Sequence, residues 1–93
     1  MLYIGFTVRR ERDDFDDEGE LHLLYIAKRL KEALRLEELL TKAAADYVVE
    51  PDTYLGGIIF RTERVGAFFY VPPSGLSAAR EVLTQNGFRP WTP

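Results

Sequence analysis

The chain has 93 residues with 46% hydrophobic content and a formal net charge of −3. This length suits one α+β domain over residues 1–93, which would bury roughly 60–65% of the surface that the unfolded chain exposes. The slightly acidic charge argues against binding to nucleic acid or to an anionic membrane through general attraction. The lack of cysteine excludes disulfides and thiolate chemistry, and a single histidine excludes a His-rich metal site within one chain.

The N-terminal residues 2–8 alternate apolar with mixed side chains, which predicts a half-buried strand. This segment lacks the basic region and the cleavage site of a signal peptide. No apolar stretch of the sequence approaches the ~20 residues of a membrane span. The absence of cysteine suits a reducing compartment. We therefore expect a cytoplasmic protein without membrane association.

An acidic run follows, and it matches the opening of a calcium-binding loop, D-x-D-x-[DNE]-G. Its candidate metal ligands are Asp14, Asp16 and Glu18. The match ends at the twelfth position, where Tyr25 stands in place of a bidentate glutamate. The alternative is a solvated loop in which Asp17 begins a capping box for the next helix. We predict no metal and no cofactor.

Residues 20–45 contain abundant Leu, Ala, Glu, Lys and Arg, with Gly19 the last glycine before them, and so predict a long helix. At 100° per residue its apolar stripe swings by about 120° near Arg35. The helix either breaks there or presents its two halves to different surfaces. His22 lies near the predicted helix start, in the position of a surface or capping histidine.

Residues 46–50 predict a short strand that ends at Pro51, because proline cannot donate to a strand ladder. Residues 51–54 then predict a turn. Polar side chains beside two glycines are candidates for a small ligand pocket at this turn, since glycine permits close approach of the backbone. These candidates are Glu50, Asp52, Tyr54, Gly56 and Gly57. Plain turn chemistry is the alternative interpretation.

Residues 55–71 predict two apolar strands joined by a hairpin turn at Glu63 and Arg64, or by a four-residue loop around them. Either loop places Phe68 and Tyr70 on one face of the hairpin. Both faces would then be apolar, whereas an antiparallel sheet with a solvated side alternates apolar with polar residues. We therefore expect a partner on the second face.

The C-terminal third predicts a helix over residues 75–86, with Ser74 as N-cap. Gly87 stands where a left-handed residue ends a helix, and Phe88 is placed to fold back on Leu83, as in a Schellman motif. Residues 88–91 predict a short final strand, which nearby prolines confine to a sheet edge.

This order of elements predicts an α+β ferredoxin-like sandwich, with an antiparallel sheet of 4–5 strands and two helices on one face. Its open face would carry five large apolar side chains, namely Tyr3, Leu55, Ile59, Phe68 and Tyr70. Monomers seldom expose an apolar patch of several hundred Å². We therefore expect a homodimer, another homo-oligomer or a protein partner at this interface.

The segment VGAFFYVPPSGLSAAREVLTQNG, residues 65–87, resembles small bacterial signal-transducing domains with a PII-like, ferredoxin-like fold. The resemblance rests on a strand, a proline-bearing corner and an Ala-Arg-Glu-Val-Leu helix. It implies a regulatory module. The long loop and basic residues with which PII-type proteins bind nucleotides have no match here, so nucleotide binding does not follow from it.

A second resemblance is to RNA-recognition domains, which share this strand order and stack bases on sheet aromatics. Residues 2–4 are similar to one of their motifs, and Arg64, Ala67 and Phe68 match positions of the other. Gly66 stands where that second motif has an aromatic residue, and the net charge is negative. RNA binding is therefore an alternative function.

The function that the sequence favours is a non-enzymatic regulatory or interaction module that acts through its open apolar face. The contrasting class is a small enzyme with acid and base groups near residues 50–57. His22, Glu50, Asp52 and Tyr54 are the groups available for that chemistry. No spacing in the sequence brings them together, so we predict no catalytic residue.

Overall fold

The computed structural model describes residues 20–56 and 62–92. Its elements in chain order are β1 (His22–Ala27), α1 (Leu30–Lys42), β2 (Val48–Gly56), β3 (Thr62–Val71), a 3-10 turn (Pro73–Gly75) and α2 (Leu76–Gln85). The predicted strand over residues 2–8 lies outside the described residues. The same holds for Tyr3, Asp14, Asp16, Glu18, Gly57 and Ile59.

The three described strands form one antiparallel sheet in the order β1-β3-β2. Since β3 is antiparallel to both neighbours, β1 and β2 run in the same direction. Two strands of the same direction need a crossover connection, which α1 supplies. The described part is therefore α+β with two helices, and its sheet has three strands instead of the predicted four or five.

The first strand overturns the prediction of one helix over residues 20–45, because His22–Ala27 is extended. Adjacent Tyr25 and Ile26 are aromatic and β-branched, which favours a strand. Pairing with β3 satisfies the backbone groups of this segment and outweighs its modest helix propensity. A register shift between Leu23 and Tyr25 inserts Leu24, whose side chain is fully buried.

The helix α1 runs from Leu30 to Lys42 without a break at Arg35. Ala33, Leu36 and Leu40 form its buried stripe at helical spacing. The swing of the apolar stripe near Arg35 has a simple cause, since the residues before Leu30 do not belong to the helix.

The strand β2 extends from Val48 to Gly56, so the predicted strand end at Pro51 and the turn over residues 51–54 are wrong. Pro51 pairs with Ala67 inside the ladder. It is tolerated because β2 is an edge strand of the described sheet, where one side of the backbone needs no ladder partner.

The register of β2 and β3 places Gly56 opposite Thr62. The predicted turn at Glu63 and Arg64 is wrong, because both residues pair within the ladder. Glu-Arg lacks the preference for positive φ that a two-residue hairpin turn needs.

This register also reverses the predicted face of Leu55. Leu55 pairs with Glu63. Side chains alternate along β3, so Glu63 lies on the face of Phe69, opposite that of Phe68. Leu55 therefore shares the helix side of the sheet and is separated from Phe68 and Tyr70.

The hydrophobic core lies between the sheet and both helices. Its buried members are Leu24, Ala27, Ala33, Leu36, Leu40, Tyr47, Phe69, Val71, Ala79 and Leu83. The rings of Tyr47 and Phe69 stack with centroids 6.0 Å apart. The Tyr47 hydroxyl lies 3.4 Å from Oγ1 of Thr41, so its buried polar end has a partner. Because both helices contribute to one cluster, they lie on the same face.

The end of α2 confirms the predicted Schellman motif. Gly87 has a φ of +84°. The Phe88 N–H donates to the Leu83 carbonyl at 2.9 Å, and the Gly87 N–H donates to the Thr84 carbonyl at 3.2 Å. The start of this helix differs from the prediction. The 3-10 turn makes Gly75 the N-cap in place of Ser74, and no side chain caps the helix there.

The helix α1 ends in the same way without a glycine. Ala44 has a φ of 59°. The Ala45 N–H donates to the Leu40 carbonyl at 3.0 Å, and the Ala44 N–H donates to the Thr41 carbonyl at 3.1 Å. An alanine in the left-handed region carries a steric cost that glycine avoids.

We expect opposite stability changes when these two left-handed residues are exchanged. Gly87→Ala should lower the free energy of unfolding by about 1 kcal/mol, and Ala44→Gly should raise it by up to about 1 kcal/mol. An added Cβ at Gly87 meets no atom within 4 Å, so backbone strain alone carries that cost. Urea denaturation measures both changes. Ala43→Gly is the control, because its φ of −82° makes glycine destabilising there.

The C-terminal segment lies beside β1. The Trp91 N–H donates to the Leu24 carbonyl at 2.8 Å. The ring of Phe88 meets that of Tyr25 edge-on, with centroids 5.6 Å apart. Residues 88–92 have no regular strand structure, so the predicted final strand is wrong in form although its backbone does reach β1.

Candidate functional site

Side chains that point away from both helices form what we call the second sheet face. Its apolar members are Leu23, Ile26, Val48, Phe68 and Tyr70, which pair across the ladders. Two predicted interface residues, Phe68 and Tyr70, therefore share this face. Phe68 is 9% exposed and Val48 is 2% exposed, so the middle of the face is closed to solvent within the chain.

The predicted ligand residues Glu50, Asp52 and Tyr54 alternate along β2 and also lie on the second sheet face. They form a row on an extended strand and do not surround a turn. Asp52 is exposed, and its Oδ1 accepts the Thr53 N–H at 2.8 Å. Gly56 ends the strand opposite Thr62.

Tyr54 joins all three strands at one end of this face. An added Cβ at Gly66 would lie 3.1 Å from its Cε1, so the ring covers the glycine on β3. The ring also carries Lys28 Nζ at 5.2 Å from its centroid, a cation–π contact with the residue that follows β1. Tyr54 thus has a structural role in holding β2 across β3 to β1.

The acid and base candidates do not converge. His22 pairs with Val71, whereas Asp52 pairs with Gly66, which stands five residues earlier on β3. At about 3.3 Å per residue, Val71 and Gly66 are about 16 Å apart along β3. The described residues therefore assemble no dyad from His22 and Asp52.

A groove lies between α1 and the helix side of β2 and β3, and we call it the helix–hairpin groove. Its volume is about 340 Å³. Its walls are mainly apolar and include Ala27, Leu30, Ala33, Val49, Pro51, Val65 and Ala67. Ligand pockets usually have such walls with a few polar groups that orient the ligand.

Glu37 supplies the acidic group of this groove, which Lys28 and Arg29 also line. Its side chain is 6% exposed, and Oε2 has no hydrogen-bond partner within the described structure. Burial raises the pKa of the Glu37 carboxyl. A buried carboxylate without a partner is costly, and such groups in clefts are candidates for functional sites. Glu37 and the helix–hairpin groove therefore form the candidate site.

A second concave site, which we call the cationic cleft, lies between β1, the start of α1 and the C-terminal segment. It has a volume of about 420 Å³, and its walls include Tyr25, Lys28, Arg29, Glu32, Arg89 and Trp91. Three cations against one carboxylate favour anions at this cleft.

The carboxylate of the cationic cleft is engaged by its own chain. Glu32 accepts the Lys28 N–H at 3.2 Å. Burial raises the pKa of the Tyr25 hydroxyl, and the charge of Glu32 together with its hydrogen bond to Tyr25 raises it further. Glu32 therefore orders the start of α1.

Sequence reasoning missed Glu37, although a signal existed. Glu37 stands four residues after Ala33 and three before Leu40, which is the spacing of the buried stripe. A charged residue at that spacing indicates either an exposed edge of the stripe or a buried acid. The groove has no such signal, because its two walls come from segments distant in sequence.

Comparison of the chain with protein-family models, curated proteins and solved structures finds no match. Within residues 20–56 and 62–92, no helix has the length and apolar content needed to cross a membrane. The same residues contain no group of three His, Asp or Glu side chains arranged to hold a metal ion.

Proposed function

We propose that this protein is a non-enzymatic regulatory or interaction module that forms a homodimer through apolar side chains around the helix–hairpin groove. The observation that carries this proposal is the exposure of four large apolar side chains. Leu30 is 76% exposed, Leu34 42%, Leu55 63% and Val65 68%. Contiguous exposed apolar surface commonly marks an interaction site.

These four residues, which we call the apolar rim, lie on the two sides of the groove. Leu30 and Val65 line the same groove from opposite sides. Leu34 lies one helical turn after Leu30. Leu55 is a diagonal neighbour of Val65, because Val65 pairs with Thr53. Each side chain contributes about 1.5–3 kcal/mol when fully buried against a partner.

The rim is a better candidate than the second sheet face because its apolar side chains are exposed to solvent, whereas those at the centre of that face are not. Phe68 and Val48 at the centre of that face are already buried. Binding of a partner through Tyr3, Phe68 and Tyr70 stays a prediction, and the experiment below includes it as a separate arm.

The architecture supports a ferredoxin-like module. The crossover of α1 from β1 to β2, with β3 between them, is the split β-α-β arrangement of that class. The backbone hydrogen bond from the Trp91 N–H to the Leu24 carbonyl supports this proposal, because the class has its fourth strand beside β1. The resemblance of residues 65–87 to small signal-transducing domains supports the regulatory role, and the lack of cysteine supports a cytoplasmic location.

Light scattering tests the dimer. We expect twice the monomer mass at high protein concentration, and we expect Val65→Asp to weaken dimerisation at least tenfold, since burying an unpaired carboxylate opposes association. Thr62→Asp is the matched control, because it adds the same charge to an exposed position of the same strand. Circular dichroism confirms that both variants fold.

Two outcomes would contradict this interface. A wild-type chain that stays monomeric at every concentration would exclude self-association. A dimer that survives Val65→Asp and dissociates with Tyr70→Arg would move the interface to the second sheet face.

A further inference from the structure

We infer that the helix–hairpin groove binds a small primary amine with an apolar chain, whose ammonium group pairs with the carboxylate of Glu37. This inference deepens the proposed function by naming a ligand class for the same surface. The site itself lies within one chain, since α1 and the β2–β3 pair of a single protomer supply its walls.

One carboxylate oxygen of Glu37 has no hydrogen-bond partner within the described structure. Nearly all buried polar groups in folded proteins are hydrogen-bonded, so an orphaned carboxylate oxygen needs a reason. Oε2 of Glu37 is such an atom, on a side chain that is 94% buried. Burial without a partner destabilises the folded chain, and a ligand that pairs with the carboxylate would remove that cost.

The described cations do not satisfy Glu37. The described ion pairs of α1 join Arg35 and Lys42 to Glu38 instead. The Lys28 ammonium lies over the ring of Tyr54, which belongs to the second sheet face. Among the described residues, no ion pair therefore engages the Glu37 carboxylate, although Lys28 and Arg29 line the same groove.

The walls and the mouth of the groove define the ligand further. Ala33, Val49 and Ala67 offer apolar surface for a hydrocarbon chain. An ammonium donor makes a charge-assisted bond to a carboxylate, which a neutral hydroxyl does not match. Lys28 and Arg29 also line the groove, and their charges disfavour a second ammonium group. The site should therefore select a monoamine over a diamine.

Calorimetric titration with hexylamine tests this inference on the full chain. We expect hexylamine to bind, and hexanol, hexanoate and 1,6-diaminohexane to bind at least tenfold more weakly. Glu37→Gln should lower hexylamine affinity at least tenfold. Glu38→Gln is the matched control, because it removes a neighbouring carboxylate that is exposed, and it should leave affinity unchanged.

A second variant separates binding from folding. Glu37→Leu should abolish hexylamine binding and raise the melting temperature, because it replaces an unpaired buried charge with apolar volume. A lower melting temperature would show that Glu37 already has a structural partner and would overturn the inference. Equal binding of hexylamine and hexanol would also overturn it, as would absence of hexylamine binding.

Titrations are made at a protein concentration where light scattering gives a single mass. A monomer that binds hexylamine through Glu37 would refute the dimer and support the amine site. A dimer that binds no amine would support the dimer and refute the amine site.

Discussion

Phe69→Ala is expected to lower the free energy of unfolding by about 3–5 kcal/mol. Phe69 is fully buried on the central strand β3, and its ring stacks on Tyr47. Its loss would leave a cavity between the sheet and both helices. Small domains have a total stability of only about 5–15 kcal/mol, so the variant would be close to unfolding. Urea denaturation followed by circular dichroism measures the change.

Glu63→Ala is the matched control for this variant. Glu63 lies on the same strand and the same face as Phe69, but its side chain is exposed. We expect its stability to change by less than about 0.5 kcal/mol. Equal effects of the two substitutions would contradict the placement of the core between the helices and the odd-numbered face of β3.

Gly66→Ala is expected to cost about 1–3 kcal/mol, because the added methyl group would overpack a closed site. Its Cβ would lie 3.1 Å from Tyr54 Cε1 and 3.2 Å from the backbone oxygen of Ala27. The tyrosine ring can tilt, whereas the Ala27 oxygen can move only with β1. Thermal unfolding and urea denaturation measure the cost.

The neighbouring glycine of β2 provides the control. An added Cβ at Gly56 would lie 3.0 Å from the side chain of Arg64. That side chain is flexible and exposed, so it can swing away, and Gly56→Ala should cost less than about 0.5 kcal/mol. If Gly66→Ala were equally mild, the close packing of Tyr54 over β3 would be wrong.

Features that the sequence predicted correctly have local causes, whereas features that it missed depend on distant segments of the chain. The Schellman end of α2 was predictable because Gly87, Phe88 and Leu83 lie within one turn of chain. The shared face of Phe68 and Tyr70 was predictable because alternation is a property of any strand. The candidate site was not predictable in the same way, since the groove that Glu37 lines is completed by residues of β2 and β3.

Three errors have one physical origin. His22–Ala27 has acceptable helix formers and became a strand because β3 offers a ladder partner. Pro51 cannot donate to a strand ladder, and it is accommodated because β2 lies at an edge of the described sheet. Leu55 lies on the face opposite to the predicted one because the register places Gly56 opposite Thr62. Each outcome depends on which strand lies beside the segment.

The sequence by itself determined the α+β class, the presence of a helix within residues 20–45 but not its start, the helix after the Pro72 corner, and the helix end at Gly87, because these follow from periodicity and residues a few positions apart. Only the tertiary structure decided which segment became β1, how β2 pairs with β3, and that a buried glutamate with one unsatisfied oxygen lies beside an apolar groove. Those features depend on contacts between segments far apart in the chain, and local propensity is too small to determine them.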